Sequence, residues 1–87
     1  MEASFDISLY PLHEDFEKPI KDFIRKLRAS GFSIIETPLS TQVYGDFTKI
    51  MEWLTENLDE TLQQEDHCVV TIKIVKGNRK NYKPFKS

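Results

Sequence analysis

Along residues 4–10, Ser-Phe-Asp-Ile-Ser-Leu-Tyr, apolar and polar side chains alternate one for one. Phe5, Ile7 and Leu9 share one phase, and Asp6, Ser8 and Tyr10 share the other. That is the period of a strand with one buried face, which Pro11 ends. The period then lengthens. Phe16, Ile20, Phe23, Ile24 and Leu27 form the apolar stripe of an amphipathic helix, with Asp15 as a candidate N-cap and Gly31 as a left-handed stop. Pro19 falls late for the first turn of that helix. Residues 32–37 predict a second strand, Pro38 to Ser40 a turn, and Thr41 to Gly45 a third strand paired with the second as a hairpin. Asp46 caps a second helix whose stripe is Phe47, Ile50, Met51, Leu54, Leu58 and Leu62, with Trp53 at its edge. Residues 68–75 predict the last strand, with Val70, Ile72 and Ile74 in one phase and Thr71 and Lys73 in the other.

The order is β-α-β-β-α-β. Right-handed crossovers place both helices on one face of the sheet. The expectation is an α+β, ferredoxin-like two-layer sandwich with a four-stranded antiparallel sheet, spanning residues 1–76. Residues 77–87 read as a basic C-terminal tail. The face away from the helices is left open, and the alternation puts Asp6, Ser8, Tyr10, Thr71 and Lys73 on it, joined by Thr37, Gln42 and Tyr44.

Length and charge narrow the use of such a surface. Eighty-seven residues make one small domain, which buries a modest share of its surface and gains by pairing with a second copy. Residues 1–66 hold all fourteen acids against six cations, a balance of −8, whereas residues 67–87 hold six cations and no acid. An acidic body repels phosphates, and the third strand, Thr-Gln-Val-Tyr-Gly, lacks the aromatic run of an RNA-binding sheet, so no nucleic-acid partner is expected. One cysteine, Cys68, rules out an internal disulfide and, with two histidines, a zinc site of the usual spacing. No apolar run reaches membrane-spanning length, and the N-terminus has neither a basic n-region nor an apolar h-region; a cytoplasmic protein without membrane insertion is expected. His13 reads as a solvated loop residue, and Glu52, Glu56, Asp59 and Glu60 as a solvated helix face. With no phosphate loop, triad spacing or metal motif, no enzyme is expected and no catalytic residue or cofactor is assigned.

Three blocks carry a family resemblance. Phe-Asp-Ile-Ser-Leu-Tyr-Pro-Leu at 5–12 resembles the opening strand of the thiamine-binding (hydroxymethylpyrimidine/thiamine-binding) protein family. Asp15-Phe16 followed by Ile20-Lys21, and Thr37 followed by Ser40-Thr41 and Gly45, match in order. The resemblance implies a ferredoxin-like domain that binds thiamine or its pyrimidine moiety without transforming it, pairing with itself as a homodimer or homotetramer. It implies Ser8, Tyr10, Thr37 and Thr41 as ligand-binding residues. Asp6 is added as a negative wall for a thiazolium cation, with Glu36 as its alternative, and Tyr44 as a second stacking ring. Lys73 opposes that charge unless it pairs with Asp6 or meets a phosphate on the ligand. The hydroxyls can exchange hydrogen bonds with an aminopyrimidine, whose flat face suits Tyr10. The expected site lies on the open face, roofed by a second copy. The alternative is a structural or regulatory oligomerisation domain whose open faces bury each other without a ligand.

Overall fold

The computed structural model describes residues 1–83. It contains β1 (Glu2–Pro11), α1 (Glu17–Ala29), β2 (Ser33–Glu36), β3 (Thr41–Asp46), α2 (Phe47–Gln63) and β4 (Cys68–Lys76). The strands lie in the order β2-β3-β1-β4, each antiparallel to its neighbours. This is the expected ferredoxin-like sandwich. Alternation fixes the register: Phe5 stands between Val43 and Ile74, and Ile7 between Thr41 and Ile72. A slip of one residue would turn the whole apolar set of β1 into solvent.

The core lies between the sheet and the two helices. Phe5, Ile7 and Val43 meet Phe23 and Leu27 of α1 and Ile50 and Leu54 of α2, all fully or nearly fully buried. Trp53 extends this core at its edge, with its ring edge-on to Phe23 and Phe32. Near the C-terminal end of α2 the buried position is Thr61, whereas Leu62, placed on the stripe by its spacing, is exposed.

The two helices begin differently. Asp46 caps α2 as expected, its carboxylate accepting the Lys49 N–H at 3.1 Å. The cap of α1 is Phe16 rather than Asp15, and no side chain bonds there. Phe16 already has helical dihedrals, because the chain winds into α1 from a turn. Pro19, at the third helical position, has no N–H for a cap to accept. At the other end Gly31, just past the C-cap Ser30, takes φ +87°, where a side chain would be strained.

The tail does not simply leave the body. The Ser4 hydroxyl donates to the Gly77 carbonyl at 2.7 Å and accepts the Arg79 N–H at 2.8 Å, and Lys80 reaches the Ser33 hydroxyl. Ser4, Tyr44 and Ser33 stand in one row across β1, β3 and β2. The chain from Gly77 to Lys80 is therefore fastened on both sides of Tyr44, which is left 8% exposed. Residues 84–87 of the expected tail lie outside the described residues.

Candidate functional site

At the C-terminal end of β1 the two layers part. Here α1 has just begun, the β2–β3 turn projects past the sheet, and a cavity of about 410 Å³ opens between them. Ile7 and Leu9 of β1 form one wall, and Phe16, Ile20, Phe23 and Ile24 of α1 the opposite one. The turn from Thr37 to Thr41 supplies the third. Tyr10, Leu12 and Leu39 stand exposed among the lining residues.

Four of the six residues expected to bind ligand line this cavity: Ser8, Tyr10, Thr37 and Thr41. Their hydroxyls differ in availability. Thr37 is occupied: it donates to the Ser40 carbonyl at 2.9 Å and accepts the N–H groups of Leu39 and Ser40, which shapes the turn. Ser8 makes one long bond, 3.4 Å, to the Leu39 carbonyl. Thr41 shares the core-side phase of Ile7 and is buried as a residue, yet its hydroxyl has no partner among the described residues. Since no fully buried side-chain oxygen is left unbonded, that hydroxyl opens into the cavity. The free hydroxyls therefore stand on opposite faces of the sheet. Thr41 opens into the cavity from the helix side, whereas Ser8 and the half-exposed Tyr10, in the other phase of β1, meet it only at the rim beside the turn.

Asp6 and Tyr44 lie elsewhere. Asp6 sits on the open face directly opposite Lys73, but no ion pair closes between them; its carboxylate instead accepts from the Gln42 amide at 3.5 Å. Tyr44 lies at the other end of the sheet, between the two serines that hold the tail. The alternative negative group, Glu36, is held by Arg28 through two hydrogen bonds of 2.7 and 2.8 Å, which keep its carboxyl below the usual range. Among the described residues no charged side chain lines the cavity.

Sequence reasoning did not find the wall supplied by α1. Its signal was present, because Phe16, Ile20 and Ile24 belong to the helix stripe, and a stripe at this spacing reads as core. Here its first turns run beyond the helix-facing side chains that could fill the space, so they line a void. His13, expected in solvent, bonds Glu65 at 2.7 Å, while the Leu12 N–H bonds the His67 carbonyl; together these tie the loop beside the cavity to the start of β4. Burial and the nearby Glu65 push the Cys68 thiol up, so it is a poor nucleophile at neutral pH. Among the described residues no group of His, Cys, Asp or Glu is arranged to hold a metal ion, and no helix is long and apolar enough to cross a membrane.

The model of the YKOF-related family matches residues 2–78, which include every element of the fold. The chain belongs to the YKOF-related family. Among solved structures, this family member is similar to protein SP2199 from Streptococcus pneumoniae, with 28% identity, a TM-score of 0.82, and coverage of 90% of this chain and 89% of that one. It is also similar to TM0486 from Thermotoga maritima, which is named for a candidate role in thiamine biosynthesis or salvage. That match has 25% identity and a TM-score of 0.77, covering 85% of this chain and 82% of the other. A domain of unknown function, DUF77, from Bacillus cereus shares the fold at 14% identity and a TM-score of 0.74, over 90% of this chain and 78% of that one. No curated protein matches the chain.

Proposed function

We propose that this member of the YKOF-related family binds thiamine or its hydroxymethylpyrimidine moiety, without transforming it, in the cavity at the end of β1. The observation that carries the reading is the convergence of Ser8, Tyr10, Thr37 and Thr41 on one hollow of ligand size. The thiamine-related name of the Thermotoga protein points the same way. Thr41 exchanges hydrogen bonds with the pyrimidine inside the hollow, and Ser8 and Tyr10, in the other phase of β1, meet the end of the ligand that stays at the mouth. The uncharged walls suit the neutral pyrimidine as the inserted end. A thiazolium or phosphate would desolvate there without a counter-charge, so it stays at the mouth. The chain works as a cytoplasmic homo-oligomer, and a second copy covers the exposed Tyr10, Leu12 and Leu39.

Calorimetry with thiamine and with free hydroxymethylpyrimidine tests the reading. Heat of binding is expected for both, and Thr41→Val should weaken it by about 1–3 kcal/mol, because a ligand polar group loses its partner. Absence of heat with either compound at millimolar concentration, on folded protein, would sink the proposal.

A further inference from the structure

Helix α1 starts with little help from its own sequence. No side chain caps it, Phe16 stands at the N-cap position, and Pro19 brings no N–H to the first turn. The five residues from Leu12 to Phe16, which join β1 to α1, include two pieces of the cavity wall, Leu12 and Phe16 themselves. Whatever holds this loop therefore comes from another part of the chain.

Two neighbouring contacts do so. The Leu12 N–H donates to the His67 carbonyl at 2.9 Å, and His13 Nε2 donates to Glu65 Oε1 at 2.7 Å. Glu65 is the fixed half of this clasp. Its own N–H bonds the Leu62 carbonyl at 3.3 Å where α2 ends, and its side chain is 15% exposed, against 39% for His13.

The surrounding charges leave that carboxylate to His13. Across a small polar cleft the pair faces Asp15 of the loop and Lys18, Asp22 and Lys26 of α1. Lys18 is engaged by Asp22 at 3.3 Å and Lys26 by Glu60 at 3.0 Å. Glu14 adjoins His13 in the chain, and Asp66, His67 and Cys68 follow Glu65 into β4. The last turn of α2 holds no basic residue, and among the described residues Glu65 has no other cation within ion-pair distance.

We propose that His13 is a positioning residue of the cavity: through Glu65 it sets where Leu12 and Phe16 stand, and its charge tunes how firmly a ligand is held. A protonated imidazole adds an ion pair to the hydrogen bond, and a neutral one leaves the hydrogen bond alone. Histidine is the side chain that ordinarily makes this change between about pH 5 and 8, so the cavity is tightest on the acid side. With uncharged walls, the cavity receives such a pH response from outside, by way of the loop. The effect on affinity rests on the cavity being the pyrimidine site; the clasp itself does not.

Two readouts on the full chain test this. In the ligand-free protein, His13→Ala should speed amide exchange at Leu12 and along the first turn of α1 by roughly threefold or more. In calorimetry with hydroxymethylpyrimidine, the wild type should lose about three- to tenfold in affinity between about pH 5.5 and 8, relative to His13→Gln. That variant keeps an N–H for Glu65 without a charge, and comparison at each pH cancels the ligand's own titration. His67→Asn should keep the wild-type profile, because only its carbonyl serves the loop. Unaltered exchange in His13→Ala, matching profiles for wild type and His13→Gln, or a profile lost in His67→Asn would overturn the proposal. If no variant binds the pyrimidine, the proposed function falls, whereas accelerated exchange in His13→Ala would still uphold the clasp.

Discussion

Two ends of one sheet face carry the same residue types and meet different fates. At the N-terminal end of β1, Ser4 lies beside Tyr44; at the C-terminal end are Ser8 and Tyr10. All four point away from the helices. Yet both hydroxyl bonds of Ser4 are taken by the chain's own tail and Tyr44 is buried, while Ser8 makes one long bond and Tyr10 is 50% exposed. A serine–tyrosine pair on an open sheet face is thus equally able to fasten a strap or to meet a ligand. What decides is which other segment of the chain arrives there. Gly77, at φ +93°, turns the chain back over the first end, and among the described residues no comparable segment reaches the second.

The sharpest way to break this contrast is to truncate each ring. Tyr44→Ala should cost roughly 3–5 kcal/mol of stability in urea unfolding, as for other buried aromatic truncations. Tyr10→Ala should move stability by less than about 0.5 kcal/mol and appear instead as weaker ligand binding. Equal stability losses would show the two ends to be alike. The serines repeat the contrast at smaller scale. Ser4→Ala leaves an N–H and a carbonyl of the tail without their partner and should cost about 1–2 kcal/mol, with faster amide exchange at Arg79. Ser8→Ala should be nearly silent in both measurements.

The smallest expected effect is on pH dependence. Asp46, near the strapped end, is held below its ordinary range by the Lys49 N–H and then by the N-terminal ammonium; Glu36, near the cavity, is held down by Arg28. Lowered folded values mean that each carboxylate contributes stability above its unfolded pKa. That stability is lost as pH falls through the folded pKa, below about pH 4. Both groups are solvent-exposed, so the effect is slight. Asp46→Asn and Glu36→Gln should each flatten the acid limb of a thermal-melting series. An unchanged limb in both would separate acid unfolding from these two contacts.

The fold was legible because its signals are local. Alternation at 4–10, the stripe of α1, the Asp46 cap and the hairpin around Pro38 each follow from side chains a few residues apart, and the antiparallel order follows from crossover handedness. The site was legible in part. Ser8, Tyr10, Thr37 and Thr41 came from the family resemblance, and the structure brings them to one cavity. Asp6 and Tyr44 were added because they share a face or a chemistry, and neither reaches it.

The sequence by itself determined which residues form strands and helices, which phase of β1 is buried, and that the acids and cations are divided along the chain. Tertiary structure decided where the space is. The void at the end of β1 exists because α1 and the β2–β3 turn overhang the sheet there, and the exposed aliphatics of β4 exist because both helices sit over the inner strands. The basic segment read as a tail begins as a strap, through contacts to Ser4 and Ser33 from residues more than 40 positions away. Periodicity reports on neighbours a turn or two apart; cavities, uncovered edges and straps depend on distant segments, and only their packing brings those together.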